Sequence, residues 1–172
     1  MANDNSSGAR TEPYLTKDES AARIGRVRQL LEAKRLDLAL VYYDEFNIGN
    51  GWYLTGWRPQ FESGAVLIPR AGAPMLLGGP ESEPFAKLDS AITETRNFQV
   101  FMVPDEEYPN ATVIGFPELF RELNDTLGAV RAIGLVGADR MPAECYRQVA
   151  EGFKGVTLRD ITSEYLRLRY AK

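Results

Sequence analysis

From Thr16 onward the chain divides into segments that differ in how their apolar positions are spaced. Thr16 and Glu19 have the spacing of a capping box, and Ile24, Val27, Leu30 and Leu31 then recur at helical intervals among Arg, Glu and Lys. This predicts an amphipathic helix of about five turns with one face buried. LDLALVYY at 36–43 is apolar on successive rather than alternate positions, which suits a strand covered on both faces. A long helix feeding such a strand points to α/β layers. ESGAVLIPR (62–70) and APMLLGG (73–79), joined at Ala71-Gly72, predict an antiparallel hairpin and hence an antiparallel edge on a mainly parallel sheet.

Further along, SEPFAKLDS (82–90) reads as a short helix, FQVFMV (98–103) as a strand, and DEEYPN (105–110) as a polar loop between the breakers Pro104 and Pro109. PELFRELNDTLG (117–128) puts Leu119, Phe120, Leu123 and Leu127 on one helical face, with Pro117 in the first turn and Gly128 past the end. AIGLVG (132–137) predicts a short buried strand, MPAECYRQVAEGF (141–153) a helix, VTLRDI (156–161) a last strand, and TSEYLRLRYAK a closing helix. Residues 1–15 are small and polar without periodicity, and are expected to be a disordered leader. The remainder, 16–172, reads as one α/β domain: a mixed, mostly parallel sheet of about six strands with helices on both faces.

Composition narrows the function. The 172 residues are 44% apolar, enough for one ordinary core, and carry a formal net charge of −4 with no basic run to neutralise phosphates. Nucleic acid and anionic membrane are therefore not expected as partners. No stretch has the length of a membrane span and the N-terminus has no signal-peptide core, so a cytoplasmic protein is expected. The single Cys145 falls in a helical pattern and reads as a small packed residue.

The chain contains no histidine, which removes the commonest acid/base group, the nucleophile triads and any His-containing metal site. Carboxylates at useful spacing remain. Asp44-Glu45 follows the buried strand, at the end where open α/β sheets often bind ligands, but also suits a solvated turn. Glu81 and Glu83 open a helix, where the dipole already favours negative charge. Asp105, Glu106 and Glu107 sit in the Pro-flanked loop and read as exposed. GLVGADR (134–140) lacks both the three glycines of a dinucleotide fingerprint and the Gly-Lys-Ser/Thr of a phosphate loop, leaving a plain β-α turn. No catalytic residue and no metal ligand is assigned.

NGWYLTGWR (50–58) is the one stretch whose composition asks for more. A tight corner packed under the sheet would account for Trp52, Tyr53 and Leu54. Trp57, Arg58 and Phe61, in the loop after Gly56, have the composition of a contact surface, with local packing as the alternative.

A helix, a strand ending in Tyr-Tyr-Asp, Asn47-Ile48, Tyr53-Leu54-Thr55-Gly56-Trp57 and the hairpin GAVLIPRAGAPMLL together resemble the N-terminal domain of the creatinase, prolidase and aminopeptidase P family, the pita-bread metallopeptidases. Gly49-Asn50-Gly51-Trp52 stands where the family usually has one or two residues. Arg169 and Lys172 in DITSEYLRLRYAK fit the Arg and the first Lys of the family's passage into its second domain. The resemblance covers about residues 17–172 and implies a creatinase N-terminal fold with a ribonuclease H-like layer arrangement. It implies a chain whose catalytic half, with a divalent manganese, cobalt or zinc ion, lies in a C-terminal domain absent here. It further implies homodimer contacts and side chains lent to a substrate entrance, with Trp57, Arg58 and Phe61 as the candidates and Arg58 pairing a substrate carboxylate. Surface facing the absent half would lie around Tyr165, Leu166, Leu168 and Tyr170 and would favour self-association. The rival expectation is a free-standing α/β module that binds a small ligand or a protein at the carboxyl ends of its strands. An open reading frame continuing past Lys172 into a Lys-Ser and metal ligands separates the first from the second.

Overall fold

The computed structural model describes residues 15–59, 63–104 and 108–170. The expected leader, residues 1–15, lies outside the described residues apart from Leu15. Helix α1 spans Lys17–Lys34, followed by β1 Leu38–Tyr43, α2 Gly49–Thr55, β2 Gly64–Pro69, β3 Met75–Gly78, α3 Glu83–Asp89 and β4 Thr95–Phe98. Then come β5 Val113–Ile114, α4 Phe116–Leu127, β6 Ala132–Val136, α5 Ala143–Gly152, β7 Thr157–Asp160 and α6 Thr162–Tyr170.

The helices begin and end where local chemistry says they should. The Thr16 hydroxyl accepts the Glu19 amide at 3.1 Å, capping α1. The helix ends at Arg35, which takes the left-handed conformation (φ 55°) and donates its amide to the Glu32 and Leu31 carbonyls. The face it buries is Ser20, Ile24, Val27 and Leu31. Pro at the start of α4 and Gly128 at its end bracket that helix as expected. Of its predicted apolar face, Leu119 and Leu123 are buried, while Leu127 is partly open to solvent.

The sheet has the order β5-β4-β3-β2-β1-β6-β7. β2 is antiparallel to both neighbours and all other pairs are parallel. The reversed strand is therefore central, not the edge that the hairpin suggested. Its six residues are all buried, and after β3 the chain adds β4 and β5 outward by parallel connections, which leaves the hairpin inside. Two-sided burial explains the unbroken apolar runs. Leu38, Leu40 and Tyr42 of β1 join the core beneath α4 and α5, while Ala39, Val41 and Tyr43 join the one beneath α1, α2 and α6. The sheet edges are short or polar: β5 has two residues, and Thr157, Arg159 and Asp160 of β7 are exposed.

Three further expectations change. A seventh strand, β5, exceeds the six anticipated. The run FQVFMV is not a strand; β4 ends at Phe98 and Gln99–Phe101 form a 3-10 turn. Phe98 and Phe101 both enter the α4/α5 core, with ring centroids 6.0 Å apart, and the tight turn puts them on the same side. Finally, Tyr165 is fully buried and so adds nothing to the exposed face of α6, whereas Tyr170 is exposed.

Glu83 ties α3 to β4. Its carboxylate accepts from Asn97 Nδ2 at 2.7 Å, Lys87 Nζ at 2.6 Å and Thr95 Oγ1 at 2.7 Å, and these bonds push its pKa from 4.5 down to about 2. A depressed folded-state pKa contributes stability that is complete above the unfolded value and is lost as the pH falls toward the folded one. Urea midpoints measured between pH 5 and pH 2 should therefore fall more steeply for the natural protein than for Glu83→Gln. Parallel curves would remove Glu83 as a contributor.

Candidate functional site

The carboxyl end of β1 opens into the turn that carries the aromatic stretch. The Asp44 carboxylate accepts the Phe46 and Asn47 amides, each at 3.0 Å, and the Asn47 carbonyl oxygen Oδ1 accepts the Asp44 amide at 2.6 Å. Asp44 thus closes a turn, in line with the plainer of its two readings, and Glu45 is exposed. The following residues form α2, where an unspecified tight corner was expected. Gly56 ends it at φ 68°, its amide donating to the Trp52 carbonyl.

A helical period explains which aromatics go inside. Asn50, Tyr53 and Leu54 are buried, and Trp52 is left 47% exposed on the outer face. Trp57, past the left-handed glycine, folds back beneath the sheet, is only 8% exposed and joins the core with Leu76 and Ala86. The Thr55 hydroxyl fixes that return by accepting the Trp57 amide at 3.0 Å and donating to the Gly51 carbonyl at 2.9 Å. Trp52, expected to pack, thus faces outward, and Trp57 takes the packed alternative of its two readings. Arg58 is exposed. Phe61 lies outside the described residues, so of the three entrance candidates the structure displays one at the surface and one in the core. Phe46, at 81% exposure, is a surface aromatic that sequence reasoning passed over.

Side chains of α1 hold the carbonyl end of α2. The Ser20 hydroxyl donates to the Leu54 carbonyl at 2.5 Å, and Arg23 Nη1 donates to the Tyr53 carbonyl at 2.7 Å while its guanidinium lies 4.7 Å from the Tyr53 ring centre.

On the opposite face, a cleft of about 740 Å³ opens between α5 and the 3-10 turn, lined by Tyr42, Ser63, Gln99, Ile114, Pro142 and Gln148 among others. A smaller lobe of about 290 Å³ shares Tyr42, Ser63 and Pro142 and extends to Asp44 and Met102. This is the carboxyl side of β1, β4 and β6, the end where open α/β sheets take ligands. Burial and then the neighbouring Asp44 charge raise the Tyr42 hydroxyl well above its ordinary pKa, so it remains a donor, and it donates to Asp44 Oδ2 at 3.3 Å. The Cys145 thiol also lines the cleft; burial, with help from Glu144, pushes its pKa up to about 12, which keeps it protonated and unreactive.

The other candidates resolve into structure. In GLVGADR, Gly137 adopts φ 78° and donates its amide to Thr162 Oγ1 at 2.9 Å, and its carbonyl accepts the Arg140 and Met141 amides. That loop is a closed β-α turn. Glu81 Oε1 accepts the Val103 amide at 2.7 Å, tying the start of α3 to the segment after β4. Asp105, Glu106 and Glu107 lie outside the described residues. No three His, Cys, Asp or Glu side chains converge among the described residues, so they do not fit a divalent metal ion.

Residues 23–171 match the family model described as Creatinase/Prolidase N-terminal domain. Among solved structures, the chain is similar to an X-Pro aminopeptidase from Thermotoga maritima MSB8, with a TM-score of 0.63 and 18% identity. That match covers 87% of this chain and 36% of the Thermotoga chain, so this chain spans about a third of its length. It is similar also to a proline dipeptidase from Streptococcus pneumoniae, with a TM-score of 0.62 and 16% identity over 87% of this chain and 98% of that one. The N-terminal domain of the cytoplasmic peptidase PepQ from Mycobacterium tuberculosis H37Rv gives a TM-score of 0.62 and 15% identity over 86% and 98%. No curated protein sequence matches. Among the described residues no helix is long and apolar enough to cross a membrane.

Proposed function

We propose, from the premise that this chain belongs to the Creatinase/Prolidase N-terminal domain family, that it is the non-catalytic N-terminal part of a creatinase-like or Xaa-Pro dipeptidase- or aminopeptidase-like hydrolase. The observation that carries this reading is the family match over residues 23–171. In this reading the partner is a catalytic domain of the same protein. Any manganese, cobalt or zinc ion belongs to that domain, because the described residues here offer no converging donor set. The complete protein works in the cytoplasm as a homodimer, with this domain supplying contacts between copies and part of a substrate entrance.

At that entrance Arg58 takes the direct role. It is exposed, it follows immediately on a residue anchored in the core, and its planar guanidinium can pair a substrate carboxylate through two parallel bonds. Trp57 holds the segment in place from within, and Phe61 completes the trio. The purified chain, mixed with manganese or cobalt and an Xaa-Pro dipeptide, should release no proline above a blank without protein. A clear metal-dependent rate would overturn the assignment.

The cleft at the carboxyl ends of β1, β4 and β6 favours a second reading, a module that binds a small polar ligand there. Its mark would be saturable binding that the Tyr42→Phe variant weakens, in a chain encoded without a following catalytic domain.

A further inference from the structure

Gly49, Asn50 and Gly51 open α2 beside α6 and the sheet. Arg169 Nη1, on α6, donates to Asn50 Oδ1 at 2.5 Å. The Tyr165 hydroxyl, one turn earlier and fully buried, donates to the Asn50 carbonyl at 2.6 Å. Asn50 is itself 3% exposed and donates its amide nitrogen to the Tyr42 carbonyl of β1 at 3.2 Å. One side chain and its own carbonyl therefore join α6, α2 and the sheet.

A second tie lies one turn along α2. Tyr53 Oη donates to the Leu168 carbonyl at 3.3 Å, near the last described turn of α6. Arg26 leaves the Tyr53 proton free for that bond by donating to the same oxygen at 3.1 and 3.2 Å. The Tyr53 and Tyr165 rings meet edge to face at 6.0 Å. The two glycines differ in what they approach: at 49 the neighbour is the flexible end of Arg169, and at 51 it is a buried ring. A Cβ on residue 49 would sit 2.9 Å from Arg169 Nη2, and one on residue 51 would sit 2.5 Å from the Tyr43 ring.

The described span of helix α6 is Thr162–Tyr170, and over nine residues helix propensity alone gives little stability in water, so docking contributes to its order. At its first turn Glu164 meets Lys34 at 2.5 Å, but that pair is partly exposed and contributes little.

We propose that Gly49-Asn50-Gly51 is a clasp that positions the C-terminal half of α6, with Arg169 as its outer, releasable member, so that α2 sets the direction in which the chain leaves the sheet. The inference goes beyond the functional reading above and holds whether or not a catalytic domain follows.

Hydrogen-exchange mass spectrometry on the whole chain tests it with two variants that leave the buried Asn50 in place. In Arg169→Ala, amides of 165–170 should exchange roughly tenfold faster or more, as for the loss of one charge-assisted bond, while β1 and β6 keep their protection. In Gly49→Ala the added Cβ crowds the guanidinium that donates to Asn50 without deleting any donor or acceptor, and the same peptide should again open alone. At position 169 alanine is at least as good a helix former as arginine, so intrinsic propensity alone would not speed exchange in α6, and at position 49, in α2, it would not act on that peptide; the clasp requires faster exchange in both variants. Unchanged or slower exchange in α6, or equal acceleration across the whole sheet, would overturn the proposal.

Discussion

Replacing Phe116 by alanine should lower the free energy of unfolding by about 3–5 kcal/mol, the usual range for removing a buried phenyl ring. Phe116 is 1% exposed and sits at the centre of an aromatic group, with Phe98 at 4.7 Å, Phe153 at 6.1 Å and Phe101 at 6.4 Å between ring centres. These neighbours come from β4, the 3-10 turn and the end of α5, so no single element can move in to fill the space. A domain of this size is stable by about 5–15 kcal/mol, and the variant should lose a large share of that. Urea unfolding would show a lower midpoint with an unchanged slope. A loss below about 1 kcal/mol would mean that the ring group is not the keystone of the α4/α5 core.

Gly152→Ala acts on the same contact from the other side and should cost about 2 kcal/mol or more. A Cβ at residue 152 would lie 2.2 Å from Phe116 Cβ and 2.8 Å from the Phe116 carbonyl carbon. Those atoms belong to backbone or are fixed to it, so no side-chain rotation relieves the clash, and α4 and α5 must separate. The gain in helix propensity, about 1 kcal/mol, offsets part of that. Because alanine at 116 keeps the offending Cβ, the double variant should not rescue the single one. A Gly152→Ala protein as stable as the original would show that the two helices have room between them.

How much of this was legible beforehand depends on whether a residue's fate is set by its own neighbours in sequence. Thr16, Pro117 and Gly128 act within a few residues, and the helices they bound appear where the pattern placed them. The run 38–43 announced two-sided burial because every position is apolar. The family, too, was readable, since the segments around Tyr53-Leu54-Thr55-Gly56-Trp57 and the hairpin carry its order. Long-range partners decided the rest. TRNF became a strand by pairing with β3 and β5, with Asn97 bonded to Glu83 and Arg96 paired with Glu122, partners that a mostly polar tetrapeptide does not reveal. Trp52 and Trp57 look alike in sequence, and only the helix between β1 and Gly56 decides which one faces water. The cleft was out of reach because its lining is drawn from distant segments, from Tyr42 to Gln148.

The sheet's margins carry a consequence for assembly. One rim is a strand of two residues, and the other presents threonine, arginine and aspartate to water. Neither gives an incoming backbone a long row of free amides and carbonyls beside apolar side chains, the template that cross-chain zippering and fibril growth need. Among the described residues, the sheet's rims therefore offer copies of this protein little to extend by strand pairing, and helix faces and loops are left as the surfaces for side-chain fit.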